Sequence, residues 1–154
     1  MTTLCCKVLH RLEGKTLVTA ESCTGGGIGA ALTAIPGSSN VYKGGIISYT
    51  NWVKNRILGV DADLLDTYGA VSAPVAEAMA SGTRNVLQAD IAVSVTGLAG
   101  PGGDEYGNSV GTVFIGYSDA RRTVSRKYHF PGSREDVRNQ AIQKALELVL
   151  EMQK

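Results

Sequence analysis

Apolar and polar positions along the chain form short segments of two kinds, with glycine or proline between most of them. Runs rich in β-branched and apolar residues predict strands. These runs cover residues 16–20, 41–50 and 90–96. Amphipathic or helix-favouring segments with caps and glycine stops predict helices. They cover residues 3–12, 26–35, 51–59 (capped by Asn51), 63–68 and 72–88 (capped by Ser72). Strands that alternate with helices are typical of an α/β domain.

The last third of the chain changes this pattern. Residues 110–118 and 123–130 predict a β-hairpin that turns at Asp119 to Arg122. Ser133 and Asp136 have the spacing of a capping box, and an apolar stripe follows them to the end of the chain as a long helix. The hairpin adds antiparallel strands, so the predicted fold is a three-layer α/β/α single domain over residues 1–154 with a mixed β-sheet.

Composition and charge limit the function classes. The 154 residues suit one domain, and no apolar run approaches the roughly 18 residues that cross a bilayer. A net charge of +1 gives no general attraction to nucleic acid. Three cysteines and two histidines lack the spacing of a disulfide framework or zinc site. We therefore expect a cytoplasmic protein with no metal and with neither nucleic-acid nor membrane partners.

The stretch TAESCTGGGIG, residues 19–29, lies between a predicted strand and a predicted helix. That position is where α/β proteins usually bind ligands, and the free N–H groups of the helix favour an anion or a developing oxyanion. The stretch has neither the P-loop nor the GxGxxG pattern. Three interpretations remain open from the residues: a phosphate cradle, a nucleophile on a turn, and a glycine-rich turn with no ligand.

Ser22 and Cys23 are the two possible nucleophiles in this stretch. A cysteine nucleophile usually needs a histidine, and His10 and His129 lie in a predicted helix and strand, away from the glycine loops. We interpret Cys23 as a buried, non-reactive residue. A serine nucleophile would then need a base other than histidine.

The segment SYTNWVKN offers such a base. Lys54 lies near the start of a predicted helix, where the helix dipole and any burial both favour the neutral amine. A neutral lysine is able to accept the serine proton. Spacing alone favours the simpler interpretations, an exposed surface lysine and a packing role for Tyr49.

Seven motifs in a fixed order carry a family resemblance. They are AESCTGG, PGSS, GGIISYTNWVK, GAVS, SVTGLAGPGG, VGTV and FPGSREDVRNQA. From about Val18 to its end, the chain resembles the C-terminal domain of CinA proteins, the competence/damage-inducible family. Stand-alone members of that family are nicotinamide mononucleotide deamidases. The resemblance implies a cofactor-free hydrolase that forms nicotinate mononucleotide and ammonia in pyridine nucleotide salvage. It also implies Ser22 as nucleophile, Lys54 as base and Tyr49 as an assisting residue.

The same comparison suggests groups that would hold the substrate. Backbone N–H groups near Thr24, Gly25, Gly26 and Gly45 are expected to hold the oxyanion. Ring or ribose would contact Thr96, Gly97, Ala99 and Gly100, although a bare turn also explains these glycines. Arg134 and Arg138, four residues apart on one helix face, are expected to bind the phosphate, although exposed arginines that pair with nearby acids remain an alternative.

Two other functions stay open, a non-catalytic mononucleotide-binding or regulatory module and a broader serine amidase. We also expect a homo-oligomer.

Overall fold

A five-stranded mixed sheet forms the centre of the computed structural model, which describes residues 1–154. Its strands are β1 (Leu17–Glu21), β2 (Tyr42–Ile47), β3 (Ile91–Gly97), β4 (Thr112–Ser118) and β5 (Thr123–His129). Their spatial order is β2-β1-β3-β4-β5. The first three of these are parallel, and β4 and β5 add the predicted antiparallel hairpin.

Helices cover both faces of this sheet, which confirms the three-layer prediction. They are α1 (Thr2–Arg11), α2 (Gly27–Thr33), α3 (Asn51–Arg56), α4 (Ala62–Tyr68), α5 (Ala73–Val86) and α6 (Arg134–Met152). One face packs against α1, α2 and α6, and the opposite face packs against α5, with α4 beside it. None of the helices is both long and apolar enough to cross a membrane.

The burial of each strand follows from its place in the sheet. All residues of β1 and β4 are buried because helices cover both of their faces. The edge strand β2 instead alternates between half-buried and exposed positions. The larger apolar core lies under α1, α2 and α6, and a smaller one lies between β1 and helices α4 and α5.

Most predicted elements are present with bounds shifted by one to three residues. The capping box of Ser133 and Asp136 is confirmed at the start of α6. Two details differ near the site. Strand β2 ends at Ile47 rather than at residue 50, so Tyr49 lies in the connection to α3. Thr50, not Asn51, caps α3, because its side chain accepts the N–H of Val53.

Ser72 is the N-cap of α5, as predicted, but its hydroxyl does not cap the helix. It donates a hydrogen bond to the carbonyl of Gly69 at 2.9 Å instead.

Candidate functional site

The parallel strands bring Ser22 and Lys54 into direct contact. Ser22 follows the last residue of β1, and Lys54 reaches it from α3, with its Nζ 3.0 Å from the Ser22 Oγ. Both side chains are buried, and Lys54 is only 1% exposed. The serine and lysine that the sequence analysis paired across 32 positions therefore form one hydrogen-bonded pair.

Two backbone carbonyls accept hydrogen bonds from the Lys54 amine. Its Nζ lies 2.7 Å from the carbonyl oxygen of Ser48 and 3.4 Å from that of Tyr49. Carbonyl oxygens only accept hydrogen bonds, so the two N–H groups of a neutral lysine point to them. The nitrogen lone pair is then left for the hydroxyl of Ser22.

Burial makes the neutral form of Lys54 accessible. Removal from water lowers the pKa of its amine from 10.5 to about 8, and the nearby Cys23 opposes this only in part. The sequence analysis attributed the lowered pKa to the helix dipole together with burial. Burial is the main cause, since the amine reaches into the protein toward β1.

Cys23 is free and buried, and it lines the same cavity as Ser22. Burial raises the pKa of its thiol to about 11, more than the positive charges of Lys54 and Arg138 lower it. The thiolate, which is the nucleophilic form, is therefore scarce at neutral pH. This geometry supports Ser22 rather than Cys23 as the nucleophile.

Glu21 is a functional residue that the sequence analysis missed. Its buried carboxylate accepts three hydrogen bonds, from the Thr24 hydroxyl at 2.7 Å and from the N–H groups of Ile28 at 2.8 Å and Gly29 at 3.0 Å. It thereby caps α2 from the end of β1 and fixes both sides of the loop that carries Ser22. The available signal was an acidic residue a few positions before a predicted helix start.

The predicted oxyanion donors divide into free and occupied groups. The N–H of Gly25 donates to the carbonyl of Ser22 at 3.0 Å, so it is not available to a ligand. The N–H groups of Cys23, Thr24 and Gly26 have no acceptor within the protein. Gly26 is the N-cap of α2 with φ of 100°, a left-handed conformation that favours glycine. Of these three residues only Cys23 lines the cavity, so its N–H is the best placed donor. Thr24 and Gly26 have free N–H groups behind it, and Gly25 is excluded.

Gly45 has a packing role instead of the expected oxyanion role. It lies within β2, paired with Thr19, and does not line the cavity. A Cβ at this position would lie 2.2 Å from the Thr19 Oγ1 and 2.7 Å from the hydroxyl of Tyr42. The glycine is therefore explained by the hydrogen bond between those two hydroxyls, which face it at 2.8 Å.

The two arginines of α6 have different positions. Arg138 does not line the cavity, because its Nε donates to the Cys23 carbonyl at 3.0 Å and its Nη2 to the Thr24 carbonyl at 3.2 Å. Arg134 does line the cavity and donates to the carbonyl of Gly100 and to the hydroxyl of Tyr49. The expectation that both bind phosphate is corrected: Arg138 holds the Ser22 loop, and Arg134 alone faces the cavity.

The hydroxyl of Tyr49 accepts from Arg134 at 3.2 Å and does not bond to Ser22 or Lys54. Its side chain is 57% exposed and lines the cavity. Tyr49 is therefore positioned as part of the cavity wall, and the contact with Lys54 comes from its carbonyl oxygen.

A cavity of about 290 Å³ opens in front of Ser22, close to the lower limit of about 300 Å³ for small-molecule sites. The end of β3 and the loop after it form one wall, and all four residues selected there from the sequence line the cavity. They are Thr96, Gly97, Ala99 and Gly100. Leu98 and Gly102 of the same loop also line it. Asn51, Ala70 and Val71 were missed because they come from other parts of the chain.

Comparison with known proteins identifies the family. Residues 2–153 match the CinA C-terminal domain. A CinA-like protein of Mycolicibacterium gilvum is 48% identical over 144 residues, which are 93% of this chain and 34% of that protein. A CinA-like protein of a Synechococcus strain is 57% identical over 110 residues, 70% of this chain and 26% of the relative. The chain thus spans about a quarter to a third of the length of the curated relatives it matches.

Solved structures agree with the fold over almost the whole chain. A competence-damaged protein (CinA) superfamily protein of Klebsiella pneumoniae superposes with a TM-score of 0.96 at 33% identity, covering 99% of this chain and 96% of that one. A competence/damage inducible protein of Agrobacterium tumefaciens gives 0.95 at 36% identity, covering 99% and 95%.

Proposed function

The chain belongs to the CinA C-terminal domain family, and from this premise and the Ser22–Lys54 pair we propose that it is an amidohydrolase acting on nicotinamide mononucleotide. Its products would be nicotinate mononucleotide and ammonia. The observation that carries the proposal is a buried lysine with a lowered pKa, 3.0 Å from a serine hydroxyl at the wall of a cavity.

Acylation begins when neutral Lys54 takes the proton of the Ser22 hydroxyl and the serine oxygen attacks the carboxamide carbon. The carbonyl electron pair moves onto oxygen and forms a tetrahedral oxyanion. As the oxyanion collapses, the C–N bond breaks, and the proton held by Lys54 passes to the departing amino group, which leaves as ammonia. Lys54 is neutral again, and Ser22 carries the nicotinoyl ester.

Deacylation repeats these steps with water. Lys54 takes a proton from the water, the hydroxide attacks the ester carbon, and the bond to the Ser22 oxygen breaks. The proton on Lys54 returns to that oxygen, and the product forms as the carboxylic acid, which gives its proton to water and leaves as the carboxylate. Each proton that Lys54 accepts is released within the same half-reaction, so the cycle needs neither a metal nor an oxidant.

Free N–H groups of the Ser22 loop are suited to stabilise the oxyanion. Those of Cys23, Thr24 and Gly26 have no protein acceptor and precede α2, where the helix dipole favours negative charge. Cys23 is the one of the three that lines the cavity. One well-placed donor lowers such a barrier by about 3 kcal/mol. Glu21 and Arg138 support this arrangement because their hydrogen bonds hold the loop from two sides.

Arg134 is the cation that suits the substrate phosphate. It lines the cavity from α6, and its two protein contacts use only part of its five N–H donors. Its contact with Tyr49 orients the guanidinium at the cavity wall.

Ammonia release from nicotinamide mononucleotide tests the proposal. We expect turnover by the wild-type protein, loss of at least about a thousandfold in Ser22→Ala, and retention of most activity in the matched variant Cys23→Ala. A dead Cys23→Ala together with an active Ser22→Ala would refute the serine mechanism.

Substrate comparison separates the alternatives. Ammonia release should be much faster from the mononucleotide than from nicotinamide or asparagine, because only the mononucleotide offers a phosphate to Arg134. Equal rates with all three would favour a broader serine amidase. Tight mononucleotide binding without ammonia release would favour the non-catalytic module.

A further inference from the structure

Ser48 carries a buried hydroxyl that the mechanism above does not use. The residue is fully buried, and its Oγ is the one buried side-chain polar atom without a hydrogen-bond partner. Such an orphan group costs free energy in a folded protein and is therefore rare. An unused hydroxyl beside a catalytic pair calls for a functional explanation.

The sheet register places Ser48 beside the nucleophile. Glu21 of β1 pairs with Ile47 of β2, and the N–H of Ser48 donates to the Glu21 carbonyl at 2.8 Å. Ser22 and Ser48 therefore directly follow the last paired residues of two neighbouring strands, which run about 4.8 Å apart. Both residues leave the sheet at the same end.

Lys54 contacts both residues. Its Nζ is 3.0 Å from the Ser22 Oγ and 2.7 Å from the carbonyl oxygen of Ser48, so the residue that carries the unpartnered hydroxyl is a direct neighbour of the amine. A change in the Ser48 χ1 angle moves this hydroxyl between staggered positions without any change in the backbone.

The chemistry creates a need for an acceptor at this place. In the resting protonated state, the three N–H groups of Lys54 point to the carbonyls of Ser48 and Tyr49 and to the Ser22 Oγ. Once Ser22 has attacked, its oxygen is bonded to carbon and becomes a poor acceptor. The third N–H of the buried ammonium then lacks a partner, which is costly.

We propose that Ser48 is a positioning residue that accepts the third N–H of the Lys54 ammonium in the tetrahedral states, in which the Ser22 oxygen is bonded to substrate and Lys54 holds the proton. This inference rests on the proposed function, because it concerns the tetrahedral intermediates that Ser22 forms. Ser48 only accepts a hydrogen bond, so the proton stays on Lys54 until it leaves with ammonia. Its hydroxyl is unpartnered in the resting protein because its partner forms during the reaction.

Other polar groups near Lys54 do not replace this acceptor. The Glu21 carboxylate is occupied by Thr24 and by the N–H groups of α2. Cys23 offers only a weakly accepting thiol. The Tyr49 hydroxyl is already bonded to Arg134. Arg134 and Arg56 are cations and accept no hydrogen bond, and the Arg56 guanidinium on α3 lies over the ring of Trp52.

The experiment follows the Lys54 pKa by NMR titration of labelled lysine in four proteins: wild type, Ser48→Ala, Ser22→Ala and the double variant. Removing the Ser22 oxygen imitates its loss as an acceptor. We expect Ser48→Ala to change the pKa little in the wild-type background. In the Ser22→Ala background it should lower the pKa by about one pH unit, and Ser48→Thr, which keeps the hydroxyl, should not. Equal pKa values in Ser22→Ala and the double variant would overturn the inference.

Kinetics and stability supply two further readouts. Ser48→Ala should lower kcat for nicotinamide mononucleotide about tenfold with KM unchanged. Its unfolding midpoint should not fall, because it removes an unpaired hydroxyl. The control Ser118→Ala removes a buried hydroxyl that bonds to Thr123 at 2.8 Å, and it should lower the midpoint without affecting kcat. A larger stability loss in Ser48→Ala than in Ser118→Ala would also overturn the inference.

If the wild-type protein releases no ammonia, the proposed function is refuted, but the inference about Ser48 is not. The titrations would still decide whether Ser48 supports the Lys54 ammonium.

Discussion

Replacing Lys54 with methionine tests the electrostatic basis of the site without any assay of activity. Methionine has a similar length and no charge, so the variant removes the amine and keeps most of the buried volume. It also breaks three hydrogen bonds, to Ser22 and to the carbonyls of Ser48 and Tyr49. The stability difference at a single pH therefore mixes two effects, and its dependence on pH isolates the charge.

The size of that dependence follows from the pKa of Lys54, which burial lowers from 10.5 to about 8. Below pH 8 the lysine is protonated in both the folded and the unfolded chain, and the folded state bears the full cost of the buried charge. Between pH 8 and 10.5 the folded state has released the proton and the unfolded chain still binds it, so stability rises with pH. At about 1.4 kcal/mol for each pH unit, the gain is about 3 kcal/mol.

Urea unfolding of the wild-type protein and Lys54→Met at several pH values between 7 and 10.5 measures this gain. The wild-type free energy of unfolding should rise by about 3 kcal/mol relative to the variant across this range. Groups that titrate in both proteins cancel in the difference. Lys43→Met, at an exposed lysine, controls for the loss of one positive charge. A wild-type curve that stays parallel to that of Lys54→Met would refute a Lys54 whose pKa is lowered by burial.

Three further predictions concern activity and the Ser22 loop. The rate constant kcat/KM should rise about tenfold per pH unit below an apparent pKa of about 8 and level off above it, because only neutral Lys54 accepts the serine proton. A flat profile from pH 6 to 9 would exclude Lys54 as the base. Arg134→Ala should raise KM for nicotinamide mononucleotide far more than KM for the nucleoside that lacks the phosphate, because Arg134 lines the cavity. Arg138→Ala should instead lower kcat for both substrates, because Arg138 holds the Ser22 loop. The reverse result would restore Arg138 to the phosphate site. Glu21→Gln should reduce the free energy of unfolding by about 1–3 kcal/mol, since the amide cannot accept all three hydrogen bonds. The control Glu147→Gln, on the surface of α6, should change it by less than about 0.5 kcal/mol in the same denaturation experiment.

The catalytic candidates could be selected from the sequence because their motifs resemble those of the CinA family. Ser22 lies in a glycine-rich connection between a strand and a helix, and Lys54 lies on a short helix after the next strand. Their order along the chain matches the family, and parallel strands bring successive connections to one edge of the sheet. Arg138 and Ser48 could not be assigned in this way, because their roles depend on contacts between separate elements.

The two arginines of α6 illustrate the same limit. Helical spacing places Arg134 and Arg138 on one face, but the packing of α6 against α2 decides which guanidinium reaches the cavity and which reaches the backbone of the Ser22 loop. Gly45 was misassigned for a similar reason. The hydroxyls that require a glycine there belong to Tyr42, at the start of the same strand, and to Thr19 on the neighbouring strand β1, and only the sheet brings them together.

By itself, the sequence determined the alternation of strands and helices and the three-layer fold, since apolar periodicity and caps are local properties of a chain. The Ser22–Lys54 pairing came from the resemblance of its ordered motifs to the CinA family. Only the tertiary structure decided the degree of burial of Lys54, the two carbonyls that direct its lone pair and the register that sets Ser48 beside Ser22. These depend on how strands and helices pack, and burial, more than position in a helix, is what lowers the pKa of the lysine.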